Sequence, residues 1–503
     1  MRRLAAVVLG ATLLALPACG SKTDEASRAA GITPATALGM VSVNLSPSID
    51  QKRNLLSIAR QFPGARSKVK GEFDDARNEL LGTLFQGSGL DFKNDIQPWL
   101  GKEAAVVVLP PGDAGAPLIL GMVQTEDQEK AKAAIAKATR DGGFDGAYAI
   151  VDDFVVISRQ ADKVDNQPAL DQITAQAKKD DGGLAKSAEF TNVVDQLHGD
   201  RLVLGWVDTK HSLAALEDLG GLKDVVGQLG KDAGAVGFDL HAESKAVVFQ
   251  GIAAAKGVDS GSDLALTRSL PATTLGAFTS FAIGKSVARA LAGAGGTEEG
   301  NLVAGFEQQT GLNLEKDILS WMHGEVVLVA GAVRGEQPFP DFALVVEPTD
   351  KDKALAGLAK IRSALSEKGL QLDEQQIGDV TSYVAQSEII PGIQPAMALF
   401  PDRFVVANSA AFLADLAKAA VPGLGDDDAY TSVVGGGGTT SAQFVLLIDP
   451  IRQAIEQVAL KYPSDRAEYE KDVKPNLEPL SAFGFRAHRD GGYNRFEMKL
   501  TFD

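Results

Sequence analysis

The chain has 503 residues, 45% of them hydrophobic and 23% charged, which is globular composition and not that of a disordered chain. Its formal net charge of −17 repels phosphate backbones and anionic surfaces, so no nucleic-acid partner is expected. Cys19 is the one cysteine, which excludes an intrachain disulfide and any cysteine-based metal site or nucleophile elsewhere in the chain.

Met1-Arg2-Arg3 is a short basic start, and Leu4 to Leu16 is an uncharged apolar run. That run is shorter than the roughly 20 residues a membrane-spanning helix needs, but it suits the core of a signal peptide. Leu16-Pro17-Ala18-Cys19 follows and resembles the bacterial lipobox, with an aliphatic residue at −3 and a small one at −1. Pro17 departs from the commoner small or hydroxyl residues at −2. The pattern predicts a lipoprotein signal peptide over 1–18 and a lipidated Cys19. It predicts a flexible polar tether over 19–33, and a body held outside the cytoplasm at a bacterial membrane. Two or more acyl chains make a stable anchor where one is marginal. The plainer alternative is an ordinary secretory signal cut near Ala18.

Beyond the tether, one stretch occurs twice. Gly89-Leu90-Asp91-Phe92-Lys93-Asn94-Asp95-Ile96-Gln97-Pro98-Trp99-Leu100-Gly101-Lys102-Glu103 is matched by Gly311-Leu312-Asn313-Leu314-Glu315-Lys316-Asp317-Ile318-Leu319-Ser320-Trp321-Met322-His323-Gly324-Glu325. The Gly, Leu, Asp, Ile, Trp and Glu are identical. Asp91 and Asn313 suit N-caps, because their side-chain oxygens accept from the free N–H groups of a first turn. The spacing predicts a short helix that plugs Trp99 or Trp321 into a core. Asp95 and Asp317 read as carboxylates stabilised near that helix start.

Other segments recur in order. Thr33-Pro34-Ala35-Thr36 begins one repeat, and Leu270-Pro271-Ala272-Thr273 the other, each leading into a strand. After the Trp come two strands, 104–109 and 118–124, then a helix over 126–138. The second copy has strands at 326–333 and 342–347 and a helix over 351–365. Asp152-Asp153-Phe154-Val155-Val156 recurs as Asp402-Arg403-Phe404-Val405-Val406, and Gly237-Phe238 as Gly484-Phe485. Apolar residues at helical spacing between Leu55 and Leu84 predict a helical region after the first strand. A Gly/Ser-rich stretch near Lys256 to Arg268 separates the copies. The chain therefore reads as α+β: two tandem homologous α+β domains with antiparallel or mixed sheets. Repeat domain one is expected over 34–256 and repeat domain two over 269–503.

On these residues the chain resembles a family of bacterial envelope proteins known as domain of unknown function 3352. The resemblance rests on the lipobox, the Pro34 strand entry, Gly89-Leu90-Asp91, Asp95-Ile96, Pro98-Trp99-Leu100-Gly101 and Glu103, and on the Asp-x-Phe-Val-Val strand. It implies no activity and hands down no catalytic residue.

No motif for chemistry emerges. His198, His211, His241, His323 and His488 show none of the close spacings that bind metals. His241 and His488 fall at the same offset in the two copies and read as strand histidines, the alternative being a metal site shared between copies. The acidic clusters lack the alternation of calcium loops. Gly435 to Gly438 lacks phosphate-loop spacing, and no nucleophile elbow is present. No cofactor, metal or catalytic residue is assigned. The expected function is a lipid-anchored, extracytoplasmic, non-catalytic binding or interaction protein. Its partner would be an envelope protein or a small ligand, taken in a groove between the copies. An enzyme with a dispersed site and a structural spacer remain the alternatives. A perturbed carboxyl in a pocket would favour the enzyme, and a purely apolar pocket the binding protein.

Overall fold

The structure is a computed structural model. It describes residues 27–66, 78, 90–111, 117–141, 144, 146–158, 167–179, 181–212, 234–254, 261, 263–281, 283, 304–305, 307–335, 339–388, 393–435, 439–459 and 463–503. The chain divides into two compact units, Met1–Gly257 with Gly491–Phe496, and Val258–Asp490 with Glu497–Asp503. Cys19 and most of the helical region expected up to Leu84 lie outside the described residues.

Unit one is built on β1 (Gly39–Asn44), β2 (Leu100–Leu109), β3 (Leu118–Thr125), β4 (Ala147–Val151), β5 (Phe154–Ser158), β6 (Val203–Asp208), β7 (Ala235–Glu243) and β8 (Ala246–Ala254). Their pairings run β4-β5-β3-β2-β1-β6-β7-β8, antiparallel throughout. The central strands are rich in apolar residues, and their alternation assigns the faces. Met40, Val107, Leu120 and Trp206 point into one core, against residues of helices Arg28–Ile32, Gln167–Ala177 and Ala188–Val194. On the other face, Val155 packs with Trp99 and with Ala131, Ala134 and Ile135 of helix Gln128–Arg140. Helix Ile49–Ala59, capped by Ser48, packs Leu55 and Leu56 against Val41, Val43 and Val203.

Unit two repeats the plan. β9 (Gly276–Phe281), β10 (Glu325–Ala330), β11 (Phe342–Val346), β12 (Leu372–Ile377), β13 (Val380–Ala385), β14 (Ala396–Leu399), β15 (Phe404–Ala407), β16 (Thr440–Leu447) and β17 (Leu480–Asp490) pair in the order β12-β13-β14-β15-β11-β10-β9-β16-β17, again antiparallel. The two units are homologous α+β domains, and of the two sheet types expected it is the antiparallel one that forms.

Unit two carries a hairpin, β12–β13, with no counterpart among the described residues of unit one. It comes with a longer helix. Lys351–Glu367 has 17 residues where Gln128–Arg140 has 13. The added turn brings Leu365 into one cluster with Leu372 and Tyr383, and the Arg362 guanidinium lies 3.8 Å over the Tyr383 ring.

Three expectations need correction. The tether does not run to residue 33, because Arg28–Ile32 is a helix whose Ala29 and Ala30 are fully buried. Its small apolar residues fit a close helix contact that a solvated tether would not need. The separating stretch likewise ends early, since Ala265–Arg268 is a helix with Leu266 and Thr267 buried. Both packed units thus begin ahead of residues 34 and 269. Finally, the two Asp-x-Phe-Val-Val copies are one residue out of structural step. Phe154 joins the core beneath β1, whereas Phe404 packs on the opposite face with Trp321. The residue equivalent to Phe404 is Val155, which packs with Trp99. A shift of one residue in a strand exchanges its faces, so similar letters hid a different register.

Candidate functional site

The duplicated stretch folds the same way twice. Each copy forms one wide turn closed by a bond spanning five residues, from Gln97 N–H to the Phe92 carbonyl at 2.8 Å and from Leu319 N–H to the Leu314 carbonyl. Pro98 lacks an N–H and ends the first turn. Asp91 Oδ1 accepts from Asn94 N–H, and Asn313 Oδ1 from Lys316 N–H, both at 2.8 Å. In return Asp95 Oδ2 accepts from Asp91 N–H, and Asp317 Oδ2 from Asn313 N–H, both at 2.8 Å. This reciprocal capping satisfies two free backbone donors at each turn.

The Trp indoles donate to the carbonyls of the same aspartates, Trp99 to Asp95 at 2.6 Å and Trp321 to Asp317 at 2.9 Å. Trp99 is buried with Phe92 and Ile96, and Trp321 meets Phe404 edge-on at 5.2 Å between ring centres. Lys137 and Lys360, from the helices that follow, reach the Asp95 and Asp317 carboxylates at 2.6 Å. These lysines hold the two carboxyl groups below the usual carboxylate range, with the backbone bonds adding to the effect. Both aspartates are therefore committed to the turn and the ion pair.

The matched Glu has a role that local spacing does not show. Glu103 accepts from Arg28 N–H at 2.9 Å, from Ala29 N–H at 3.3 Å and from the Ser27 hydroxyl. Glu325 accepts from Leu266 N–H at 2.9 Å, from Thr267 N–H at 2.8 Å and from the Thr267 hydroxyl. Each carboxylate ties a short leading helix to its unit by holding the free N–H groups of the first turn. Burial pushes both carboxyls upward, against the lowering effect of the bonds they accept. Identity of the Glu in the two copies is the available signal, but its partners lie in segments that share no sequence.

The histidine pair diverges. Asp239, fully buried, faces His241 Nδ1 at 2.7 Å and accepts from Gln250 Nε2 at 2.7 Å and from His198 N–H at 3.1 Å. The His198 ring stacks on His241 at 4.1 Å. In repeat two the place of Asp239 is taken by Arg486, which donates to the Thr440 hydroxyl at 2.8 Å. No group of three or more His, Cys, Asp or Glu that could hold a metal occurs among the described residues.

A pocket of about 180 Å³ on unit two is lined by Phe278, Ile283, Leu319, Met322, Val326, Leu328 and Leu344. Leu328 is 54% exposed and Phe278 39%. Leu328 pairs across the sheet with Phe278 on one side and Leu344 on the other. In unit one the sheet positions of Phe278, Leu328 and Leu344 are held by Val41, Val106 and Gly121, in the same cross-strand row. At these three positions the side chains of the second copy are the larger ones.

The family described as Protein of unknown function (DUF3352) matches residues 3–147 and 135–457. The chain belongs to the DUF3352 family. No curated protein and no solved structure matches it. In this DUF3352 protein the matched aspartates, tryptophans and glutamates are thus fastenings of the two repeats, and the pocket on repeat two is the candidate site.

Proposed function

We propose that this DUF3352 protein is a lipid-anchored, extracytoplasmic protein of the bacterial envelope that acts by binding and not by catalysis. The observation that carries the binding half is the pocket on repeat two, whose lining is wholly apolar and holds no titratable group. Such a lining recognises hydrocarbon or an apolar side chain and offers nothing to move a proton. The anchoring half rests on Leu16-Pro17-Ala18-Cys19 behind a basic start and a short apolar run. No helix among the described residues is long and apolar enough to cross a membrane.

Labelling cells with a tagged acyl chain tests the anchor. Wild type takes up the label and sediments with membranes, and Cys19→Ser loses both; a labelled Cys19→Ser protein would overturn the assignment. Crosslinking in intact cells tests the binding half. Recovery of a defined envelope partner supports it, and a protein that captures neither partner nor apolar ligand contradicts it.

A further inference from the structure

We infer that the outer edge of β4 in repeat one is a docking edge for an extended peptide strand of a partner protein, added antiparallel to the sheet. The inference rests on the binding function proposed above and names a site and a partner class for it.

The chain itself supplies the template. In repeat two the equivalent strand, β14, has its outer edge covered by β13, in the register Ser382↔Ala398, Tyr383↔Met397 and Val384↔Ala396. Superposing the repeats on Val155 and Phe404 places Tyr148 at Met397, Ala147 at Ala396 and Ala149 at Ala398. Met397 is 5% exposed beneath its covering strand, whereas Tyr148 is 41% exposed. Among the described residues nothing pairs with the outer edge of β4.

The edge presents usable hydrogen-bonding groups. β4 and β5 are joined by the two-residue turn Asp152-Asp153, with Asp152 at φ 50°. Such a turn closes on a hydrogen-bonded pair, here Val151 and Phe154. Alternation then sends the N–H and C=O of Tyr148 and Ile150 outward. The same counting sends those of Met397 toward β13, and the bond from Ala385 N–H to the Pro395 carbonyl, at 2.9 Å, confirms the phase.

Free sheet edges are normally blunted by charge, proline or a covering segment. β4 is Ala147-Tyr148-Ala149-Ile150-Val151, with neither charge nor proline. Its sides are already in place: Ile150 packs toward helix Gln128–Arg140, and Ala147 and Ala149 toward the opposite core. An added strand would continue both layers, as β13 does with Tyr383 on one face and Val384 on the other. The partner segment is therefore extended, with an aromatic or large aliphatic residue opposite Tyr148 and smaller apolar ones beside it. Backbone pairing supplies the affinity and these side chains the choice of partner.

The test uses the whole chain and a synthetic peptide spanning residues 379–386, which reproduces β13. The peptide is expected to bind and to slow hydrogen exchange at the amides of Tyr148 and Ile150. A peptide N-methylated at the positions of Thr381, Tyr383 and Ala385 leaves the protein untouched, and by losing its pairing bonds it should bind about tenfold more weakly or worse. Tyr148→Pro, which removes an outward N–H only, should have the same effect, while Tyr148→Thr keeps the pairing. Equal binding of the N-methylated peptide, or protection elsewhere, overturns the inference. So does protection of Tyr148 and Ile150 in the free protein that rises with its concentration, which would assign the edge to a second copy. Failure here leaves the apolar pocket and the Cys19 anchor untouched, because each has its own readout.

Discussion

Lys137 lies 2.6 Å from the carboxylate of Asp95, and that carboxylate also caps the turn on which Trp99 is mounted. Lys360 and Asp317 reproduce the arrangement in repeat two at the same 2.6 Å. Removing the carboxylate therefore loses a cap and an ion pair together. Asp95→Ala should cost on the order of 1–2 kcal/mol, most of it from the cap because half-exposed ion pairs contribute little. Urea unfolding of the full chain reads this as a lower midpoint for the transition that includes repeat one. Lys137→Met should cost less than Asp95→Ala. An equal or greater loss in Lys137→Met would show that the ion pair, and not the cap, holds the turn.

The same groups predict a pH dependence of opposite sign to that of the glutamates. Asp95 and Asp317 are held below the ordinary range by their lysines, so their contribution is present above about pH 4 and is lost as acid takes the pH down through their folded values. Glu325 is pushed upward by burial, so its contribution is complete at low pH and declines as pH rises through its folded value. The melting-temperature gap between wild type and Glu325→Gln should therefore narrow with rising pH. The gap between wild type and Asp95→Asn should widen from strongly acid pH toward neutral. Parallel pH profiles for the two variants would contradict this assignment.

Glu325→Ala should be the more damaging change at that position. It leaves Leu266 N–H, Thr267 N–H and the Thr267 hydroxyl without their buried acceptor. The expected cost is on the order of 3 kcal/mol. Hydrogen exchange should locate the change, with Ala265–Arg268 exchanging faster while β11 is little affected. Uniform acceleration throughout unit two would instead mean that the helix is not a separate fastening.

These contacts explain what could be read in advance. The duplication, the caps at Asp91 and Asn313 and the α+β plan were visible because each depends on local spacing, whereas the choice between antiparallel and mixed sheets was not. The roles of Lys137, Lys360, Glu103 and Glu325 were not, since each partner lies far along the chain. The register of Phe404 was misjudged for a related reason. A strand shows its period but not its partner, and one residue of slip reverses its faces. The pocket on repeat two was likewise hidden, because its lining comes from separate strands that each look like an ordinary core segment.

The pocket predicts a difference between binding and stability. Leu328→Glu should weaken uptake of a fluorescent apolar probe while changing stability by no more than about 0.5 kcal/mol, because the side chain is largely exposed. Tyr148→Thr, in the other unit, should leave probe uptake unchanged. Undiminished fluorescence with Leu328→Glu would remove the pocket from consideration as the binding site.

Gly357 offers the sharpest test of the Trp321 mounting. It lies within helix Lys351–Glu367, where alanine would be favoured by about 1 kcal/mol on propensity alone. A Cβ there would fall 2.6 Å from the Asp317 carbonyl oxygen and 3.0 Å from Trp321 Nε1. The carbonyl belongs to the turn backbone and also accepts the indole N–H, so it cannot yield without dislodging Trp321. Repeat one has Ala134 at the equivalent place, packed with Trp99. Alanine is thus acceptable against one copy of the turn and excluded from the other by how closely helix and turn approach. Gly357→Ala should destabilise by roughly 1–3 kcal/mol, the usual cost of forcing extra atoms into a packed site. It should also redden the Trp321 fluorescence as the indole gains solvent. A stabilised variant with unchanged emission would mean that propensity wins and that the turn has room to retreat.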